Sequence, residues 1–171
     1  MFTNAVSVPR ASSGKCHTIA TGYLSTLTSD NSGDKQLSLN SAEELTYNSG
    51  SVFRAAFQAC PEATQDTEFA NTGRLVVEPT SDNKCLTIIN PSSSNGPWFV
   101  KSKTCTSDTK PSAGELWGRG NDFGNVIFWT GKCEPGIQLD SNGNIELASR
   151  DRIQFSCNGT YESMHLTQQK S

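Results

Sequence analysis

The chain is poor in histidine and methionine and has no long run of apolar residues. Its 171 residues include two histidines and two methionines. No apolar stretch reaches the roughly 18 residues that a membrane-spanning helix needs. Met1-Phe2-Thr3-Asn4-Ala5 has neither the charged start nor the hydrophobic middle of a signal peptide. We therefore expect no membrane insertion, and interpret the start as a mature chain with an added Met.

Clustered positive charge is absent as well. Fourteen Lys and Arg against seventeen Asp and Glu give a net charge of -3, and the basic residues are scattered. Proteins that bind nucleic acid, or that bind membranes through a polybasic patch, concentrate their Lys and Arg residues on one face. We therefore expect no nucleic-acid partner.

An internal repeat of about 50 residues is the strongest feature that the sequence does have. Glycines open its three segments at intervals of 51 residues: Gly22, Gly73 and Gly124. Each segment then reaches a lysine that begins an apolar run, and an Asn or Asp at intervals of 50 residues: Asn40, Asn90 and Asp140. Each closes on a cysteine. A fixed period of this length indicates one supersecondary unit used three times.

The repeated unit has the pattern of β structure. Short runs of β-branched, aromatic and aliphatic residues, such as Leu75-Val76-Val77, are bounded by Gly, Asn, Asp, Ser and Pro. Asn-Gly within 140–144 is typical of a hairpin, because both residues tolerate positive φ, and 94–97 and 122–124 mark further turns. Closure removes exposed strand edges. We therefore predict an all-β fold of about twelve strands, a closed threefold barrel with a hairpin cap and no long helix.

Length favours a single domain. A chain of 171 residues fits one all-β unit with a sizeable core. We expect one domain over 1–171, with repeats at about 14–62, 63–110 and 111–167, a short N-terminal arm and a C-terminal tail.

Cysteine usage indicates an oxidising compartment. The number of cysteines is even and no spacing matches a Cys-x-x-Cys or Cys/His metal site, which favours disulfides over metal ligands or catalytic thiols. The repeat alignment pairs them as follows: Cys16 with Cys60, Cys85 with Cys105, and Cys133 with Cys157. Gln36 occupies the first cysteine position of repeat one, which is why Cys60 is left for Cys16. Asn158-Gly159-Thr160 is a glycosylation sequon and fits secretion.

Catalytic constellations are missing from the sequence. With the cysteines oxidised, a nucleophile would depend on His17 or His165, and neither lies in a recognised catalytic setting. The acids Glu43-Glu44 and Glu134 have no partner visible in the sequence that would shift a pKa or hold a metal. We interpret these acids as a solvated face, and expect no enzyme activity, no metal and no cofactor.

The residues of repeat two follow a known order of motifs. Lys84-Cys85-Leu86-Thr87-Ile88 is followed by Asn95-Gly96-Pro97-Trp98, then by Cys105 and Glu115-Leu116-Trp117. This order resembles the ricin B-type β-trefoil family, in which a Cys-Leu, an Asn-Gly turn, a second Cys and a Gln-x-Trp succeed one another. Glu115 stands where that family usually has Gln. The resemblance covers about residues 14–167 and implies a β-trefoil that binds sugars.

The same resemblance implies where a sugar would bind. In the family, an Asp two residues after the first cysteine accepts hydrogen bonds from the sugar, and a ring before the second cysteine stacks on it. The matching Asp positions hold Ser38, Thr87 and Pro135, and the ring positions hold Gln58, Lys103 and Phe155. Only repeat three has a ring. We therefore predict a site formed by Asp140, Phe155 and Asn158, with Phe155 as a partly exposed stacking platform.

Two of these assignments have structural alternatives. Asp140 would instead begin a hairpin turn, as Asn40 and Asn90 do, by accepting local backbone hydrogen bonds. Asn95 and Trp98 are further candidate sugar-binding residues, and Trp98 is either an exposed ring that stacks on sugar or a core residue. Trp117 and Trp129 are predicted to lie in the core.

These features predict a secreted, non-catalytic, lectin-like protein whose partner is a glycan or glycoprotein. The alternative is a secreted protein-binding β-trefoil, such as a hydrolase inhibitor or a host-directed effector, with an extracellular protein target. The segments 41–51 and 106–114 favour this alternative, because they are longer than hairpins require and long loops often carry function.

Overall fold

The computed structural model describes residues 14–27, 33–66, 68–120 and 126–168. The strands in these ranges are β1 (His17–Thr26), β2 (Lys35–Gln36), β3 (Ser38–Leu39), β4 (Leu45–Thr46), β5 (Ser51–Val52), β6 (Arg54–Ala59), β7 (Asn71–Val77), β8 (Lys84–Ile88), β9 (Val100–Thr104), β10 (Trp117–Arg119), β11 (Ile127–Trp129), β12 (Gly136–Gln138), β13 (Leu147–Ala148), β14 (Arg152–Ile153), β15 (Phe155–Ser156), β16 (Tyr161–Glu162) and β17 (Met164–Thr167). Single 3-10 turns lie at Thr80–Asp82, Ala113–Glu115 and Ser149–Asp151. The fold is all-β, which confirms the predicted class.

Four sequence predictions fall wholly or mostly beyond the described ranges. These are the turn at 122–124, the third repeat glycine (Gly124), the N-terminal arm at 1–13 and the C-terminal tail from residue 169 on.

Six strands form a closed antiparallel barrel. β1, β6, β7, β10, β11 and β17 pair in that order, and β17 returns to β1. Across these pairs Leu24 faces Leu166 and Phe57 faces Leu75. Each of the six strands therefore pairs on both sides along at least part of its length, and the barrel has no open edge strand.

Shorter strands lie between successive barrel strands. β8 and β9 form a hairpin beside β7, β12 pairs with β15 and β16, and a sheet in the order β13, β14, β4, β3, β5 joins the first and third parts of the chain. Many of these strands have only two residues, because turns such as 40–44 and 47–50 interrupt them. The structure therefore has more and shorter strands than the twelve predicted.

Two of the repeat glycines lie where barrel strands come closest together. A Cβ on Gly22 would lie 2.5 Å from the carbonyl oxygen of Thr167, and one on Gly73 would lie 1.9 Å from that of Gln58. Any side chain at either position would collide with the neighbouring backbone. The spacing of 51 residues thus marks the same kind of close approach at two places in the barrel.

The core fills the barrel and the space under the shorter strands. Fully buried aliphatic side chains come from each part of the chain, including Leu24, Leu75, Ile127, Leu37, Leu86 and Ile137. Six aromatic side chains pack among them: Phe53, Phe57, Trp98, Trp117, Trp129 and Phe155. Trp117 and Trp129 are therefore core residues, as predicted.

Three disulfides join Cys16 to Cys60, Cys85 to Cys105 and Cys133 to Cys157, which is the pairing predicted by the repeat alignment. Three disulfides in a chain of this size are typical of an oxidising, extracellular setting. No helix in the described ranges is long and apolar enough to cross a membrane.

Candidate functional site

Phe155 lies in the core, so its predicted role as an exposed platform is wrong. Only 1% of the residue is exposed, and its ring centroid lies 6.0 Å from that of Trp117 in an edge-on arrangement. Its backbone exchanges two hydrogen bonds, of 2.9 and 2.8 Å, with Trp98. No face of this ring is available to a sugar.

The cause of this error is a shift of one residue in the repeat alignment. Counting back from the second cysteine matches Phe155 with Lys103, which is exposed. Strand pairing matches it with Ser102 instead, because Ser102 faces Leu86 as Phe155 faces Ile137. Since successive side chains point to opposite faces of a strand, one residue moves the ring from the surface to the core.

Trp98 is also buried, which favours the core alternative for this residue. It is 2% exposed, and its ring lies 5.7 Å from that of Trp129. The indole nitrogen donates to the carbonyl oxygen of Ser93 at 3.3 Å. Trp98 therefore joins the loop before it to the core and does not stack on a ligand.

Asp140 begins a hairpin turn, as its structural alternative proposes. One carboxylate oxygen accepts the backbone N–H groups of Asn142 and Asn144, at 2.8 and 3.0 Å. Asn40 does the same for Ala42 and Glu44, both at 2.9 Å. The backbone N–H of Asn144 above all lowers the pKa of Asp140, since donors stabilise the ionised form.

This turn predicts a specific dependence on acid. A lowered pKa means that the carboxylate stabilises the fold above its ordinary value of 3.8, and that this contribution is lost as the pH falls through the lower folded value. Asp140→Asn keeps an oxygen acceptor that does not titrate, as in Asn40. We expect the stability of the wild type relative to Asp140→Asn to fall below about pH 4. Urea unfolding of both proteins between pH 7 and 2.5 measures this, and a constant difference would contradict it.

Asn95 and Asn158 are exposed on separate turns. Asn95 lies between β8 and β9, and Asn158 lies between β15 and β16. The backbone N–H of Asn158 donates to the hydroxyl oxygen of Ser156 at 3.0 Å, and the Asn158 side chain faces solvent. With Phe155 and Trp98 in the core and Asp140 engaged in its turn, the five predicted residues do not converge on one site.

A polar cleft in the first part of the chain places an aromatic ring beside several polar groups, which the predicted site does not. Its volume is about 420 Å³, and its walls include Asp34, Lys35, Ser38, Tyr47 and Asn48. The Tyr47 ring is half-buried, whereas Asp34 and Asn48 are exposed. We call it the Tyr47 cleft.

Local hydrogen bonds hold the turn that forms one wall of the Tyr47 cleft. The Ser38 hydroxyl donates to the carbonyl oxygen of Ser49, and the hydroxyls of Thr46 and Ser49 are 3.1 Å apart. Asn48 and Gly50 both adopt positive φ, of 61° and 76°. Asn and Gly are the residues that tolerate this backbone, so the sequence itself determines the turn.

The opposite wall is held by the last barrel strand. Nε2 of His165, on β17, lies 2.5 Å from Oδ1 of Asp34. Asp34, Lys35 and Asn48 all line the cleft beside Tyr47. A carboxylate accepts hydrogen bonds, an ammonium group donates them and an amide does both, so this set can bind a polar ligand beside the Tyr47 ring.

The His165–Asp34 pair has a hydroxyl residue across the strands from it. Ser25 faces His165 on β1, and its hydroxyl lies 3.1 Å from that of Thr167, while the His165 ring bonds to Asp34. No group of three or more His, Cys, Asp or Glu in the described ranges could hold a metal ion.

The acids predicted to be solvated differ from one another. Glu43 is exposed beside Lys84, at 3.4 Å. The prediction of a solvated side chain is wrong for Glu44. This residue is buried, and its carboxylate lies 3.6 Å from Arg150 and 3.8 Å from Arg152. It joins the hairpin of β4 to the chain around β14, a contact that sequence order does not reveal.

Glu134 is half-buried, and its pKa is raised. Burial is the main cause, because it disfavours the charged form, and the neighbouring carboxylates of Glu68 and Asp66 act in the same direction.

Sequence reasoning missed the Tyr47 cleft although two signals for it were present. Ser38 occupies the family's Asp position in repeat one, and 41–51 is an unusually long connection. In the structure this connection contains β4 and a second turn at 47–50, which places Tyr47 and Asn48 beside Ser38. The pattern taken from the resemblance requires an acidic residue after a cysteine. Neither signal has one, so the pattern favoured repeat three instead.

Comparison of the chain with protein-family models, curated proteins and solved structures gives no match.

Proposed function

We propose that the chain is a single β-trefoil domain made of three related units. Two similar backbone hydrogen bonds, each between successive units, support this. The N–H of Glu78 donates to the carbonyl oxygen of Arg54 at 2.9 Å, and the N–H of Thr130 donates to the carbonyl oxygen of Leu116 at 3.1 Å. The similar turns at Asn40 and Asp140 also support it.

The strand pairing favours one change to the predicted repeat boundaries of 14–62, 63–110 and 111–167. β10 pairs with β7, as β6 pairs with β1, so β10 would close the second unit and not open the third. We place that boundary between residues 120 and 126.

We propose that the protein is a secreted, non-catalytic, lectin-like protein whose sugar site is the Tyr47 cleft. Sugar recognition needs an apolar ring surface beside several convergent hydrogen-bonding groups. The observation that carries the proposal is that one cleft brings the Tyr47 ring together with an amide, a carboxylate and an ammonium group. This moves the site from repeat three to repeat one.

Replacing Asn48 with Gly tests the site with little risk to the fold. Glycine keeps the positive φ of this turn and removes only the amide. We expect glycan affinity to fall about fivefold to tenfold, the usual value of one lost hydrogen bond. A glycan array identifies the sugar, and calorimetry with that sugar measures the affinity of both proteins.

Asn83→Gly is the matched control. Asn83 also has positive φ, of 50°, and it lies outside the Tyr47 cleft. Its replacement should leave glycan affinity unchanged. Equal losses in the two variants, or no glycan binding at millimolar sugar, would contradict the proposal.

A second cleft favours the protein-binding alternative. It has a volume of about 690 Å³ and is lined by Tyr23, Val52, Arg54, Glu78 and Pro79, among others. Arg54 lies over one face of the Tyr23 ring at 5.3 Å and is 2.8 Å from Glu78, so that face is already occupied. Exposed Val52 beside an ion pair is better suited to an extracellular protein, such as a hydrolase. Binding of an extracellular hydrolase by this protein, with no glycan binding, would establish this alternative.

Secretion is supported by the three disulfides and by the position of the sequon. Asn158, Gly159 and Thr160 are all exposed. Asn158 is therefore better placed to carry an attached glycan than to recognise one.

A further inference from the structure

The disulfide between Cys133 and Cys157 differs from the other two in its exposure. Cys133 is exposed and Cys157 is half-buried. In contrast, Cys85 and Cys105 are both buried, and Cys16 is half-buried with a buried partner, Cys60. Thiol–disulfide exchange requires a thiolate to reach a sulfur atom, so access differs among the three bonds.

The turn that carries Cys133 is also strained. Cys133 and Glu134 both have positive φ, of 57° and 49°, which is unfavourable for residues with a side chain. Pro135 follows them and has no N–H to close the turn. The hydrogen bond that spans the turn, from Glu134 to the carbonyl oxygen of Gly131, is long at 3.4 Å.

Negative charge opposes the closed turn as well. Glu134 lies near the carboxylates of Asp66 and Glu68, from the segment that follows β6. When these carboxylates are ionised they repel one another, which favours movement of the turn away from that segment. Strained backbone, a missing donor and charge repulsion therefore all act against the covalent bond that holds Cys133 in place.

We propose that Cys133–Cys157 is a site of thiol–disulfide exchange, which a dithiol reductant opens while the rest of the fold stays intact. A reductant thiolate attacks Sγ of Cys133, the S–S bond breaks, and Cys157 leaves as a thiolate that takes up a proton. The second thiol of the reductant, as thiolate, then attacks the mixed disulfide. This releases Cys133 as a thiolate, which is protonated in turn, and closes the reductant's own disulfide, so two electrons pass to the protein.

Opening this bond has a local structural consequence. Gly131 and Lys132, which precede Cys133, line a cleft of about 460 Å³ together with Asp66 and the edge of Trp129. A Cβ on Gly131 would lie 2.3 Å from the Trp129 ring, so the turn packs tightly at its start. Release of the turn therefore widens this cleft on the side of Lys132.

Graded reduction of the oxidised full-length protein tests the proposal. The protein is incubated with increasing dithiothreitol, quenched with N-ethylmaleimide and mapped by mass spectrometry. We expect Cys133 and Cys157 to be labelled at least about tenfold faster than Cys85 and Cys105, with no change in the far-ultraviolet circular dichroism of the β fold. Labelling of all six cysteines together, or a loss of this circular dichroism in step with labelling, would show global unfolding and overturn the proposal.

A pair of variants tests whether the strained turn drives the reaction. Glu134→Asn places a residue that tolerates positive φ in the turn and removes one negative charge. In a buffer of reduced and oxidised dithiothreitol, we expect it to lower the equilibrium constant for reduction of Cys133–Cys157 about fivefold. Asp151→Asn, at a φ of 54° in the turn before β14, is the control and should leave the constant unchanged. Equal effects of both variants, or no effect of Glu134→Asn, would contradict the role of the turn.

Discussion

Replacement of Phe155 by Ala is expected to destabilise the fold by about 3 to 5 kcal/mol, a cost typical of a large aromatic side chain removed from a core. The ring is 1% exposed and packs edge-on against Trp117. Its loss would leave a cavity between the barrel and the short strands above it. Because domains of this size are stable by only about 5 to 15 kcal/mol, much of the total stability is at stake.

Denaturant unfolding at pH 7 measures this loss. Phe155→Leu is the control, because it keeps an apolar side chain and is expected to cost less than about 1.5 kcal/mol. If Phe155→Ala were as stable as the wild type and had lost glycan binding, the ring would be a platform after all.

The second large effect is expected from removal of the first disulfide. Cys16 and Cys60 are 44 residues apart, the longest loop that the three bonds close. Chain-entropy estimates give such a bond about 4 kcal/mol. It also places the Cys16 N–H 2.6 Å from the carbonyl oxygen of Asp108, whose carboxylate binds the buried Arg74 at 3.1 Å.

Replacing both Cys16 and Cys60 with Ala avoids a free thiol and isolates the effect of the bond. Thermal and urea unfolding should show a loss of about 4 kcal/mol. The same change at Cys133 and Cys157, which are 24 residues apart, should cost less than the chain-entropy value of about 3.5 kcal/mol, because strain in that turn offsets part of it. If the Cys133–Cys157 change were the more costly, loop length would not govern these bonds.

Features that depend on local chemistry could be predicted from the sequence. Asn40 and Asp140 each bond the N–H groups two and four residues ahead, and this requires only a short side chain with an oxygen acceptor. The β class, the disulfide pairing and the core positions of Trp117 and Trp129 followed from similar patterns. They are insensitive to an error of one residue in the alignment.

Features that depend on strand register could not be predicted in this way. Phe155 and Lys103 are both two residues before a cysteine, yet one is in the core and the other is exposed. Register across a hairpin is set by the chain that connects its strands, and the connection from β8 to β9 is shorter than that from β12 to β15. The Tyr47 cleft escaped prediction for a related reason, since its lining between residues 34 and 52 is joined to His165 near the other end of the chain.

The pairing of β17 with β1 also determines how the barrel would respond to a pulling force. The two strands are antiparallel, so the start of β1 and the end of β17 lie at the same end of the pair. Tension applied there loads their hydrogen bonds one at a time, as in unzipping, and not all together as in shear. Because Cys60 anchors Cys16 next to β1, the force would peel β17 away first and leave β1 on β6. The pairing of β1 with β17 is therefore expected to open first when the barrel is pulled from these two strand ends.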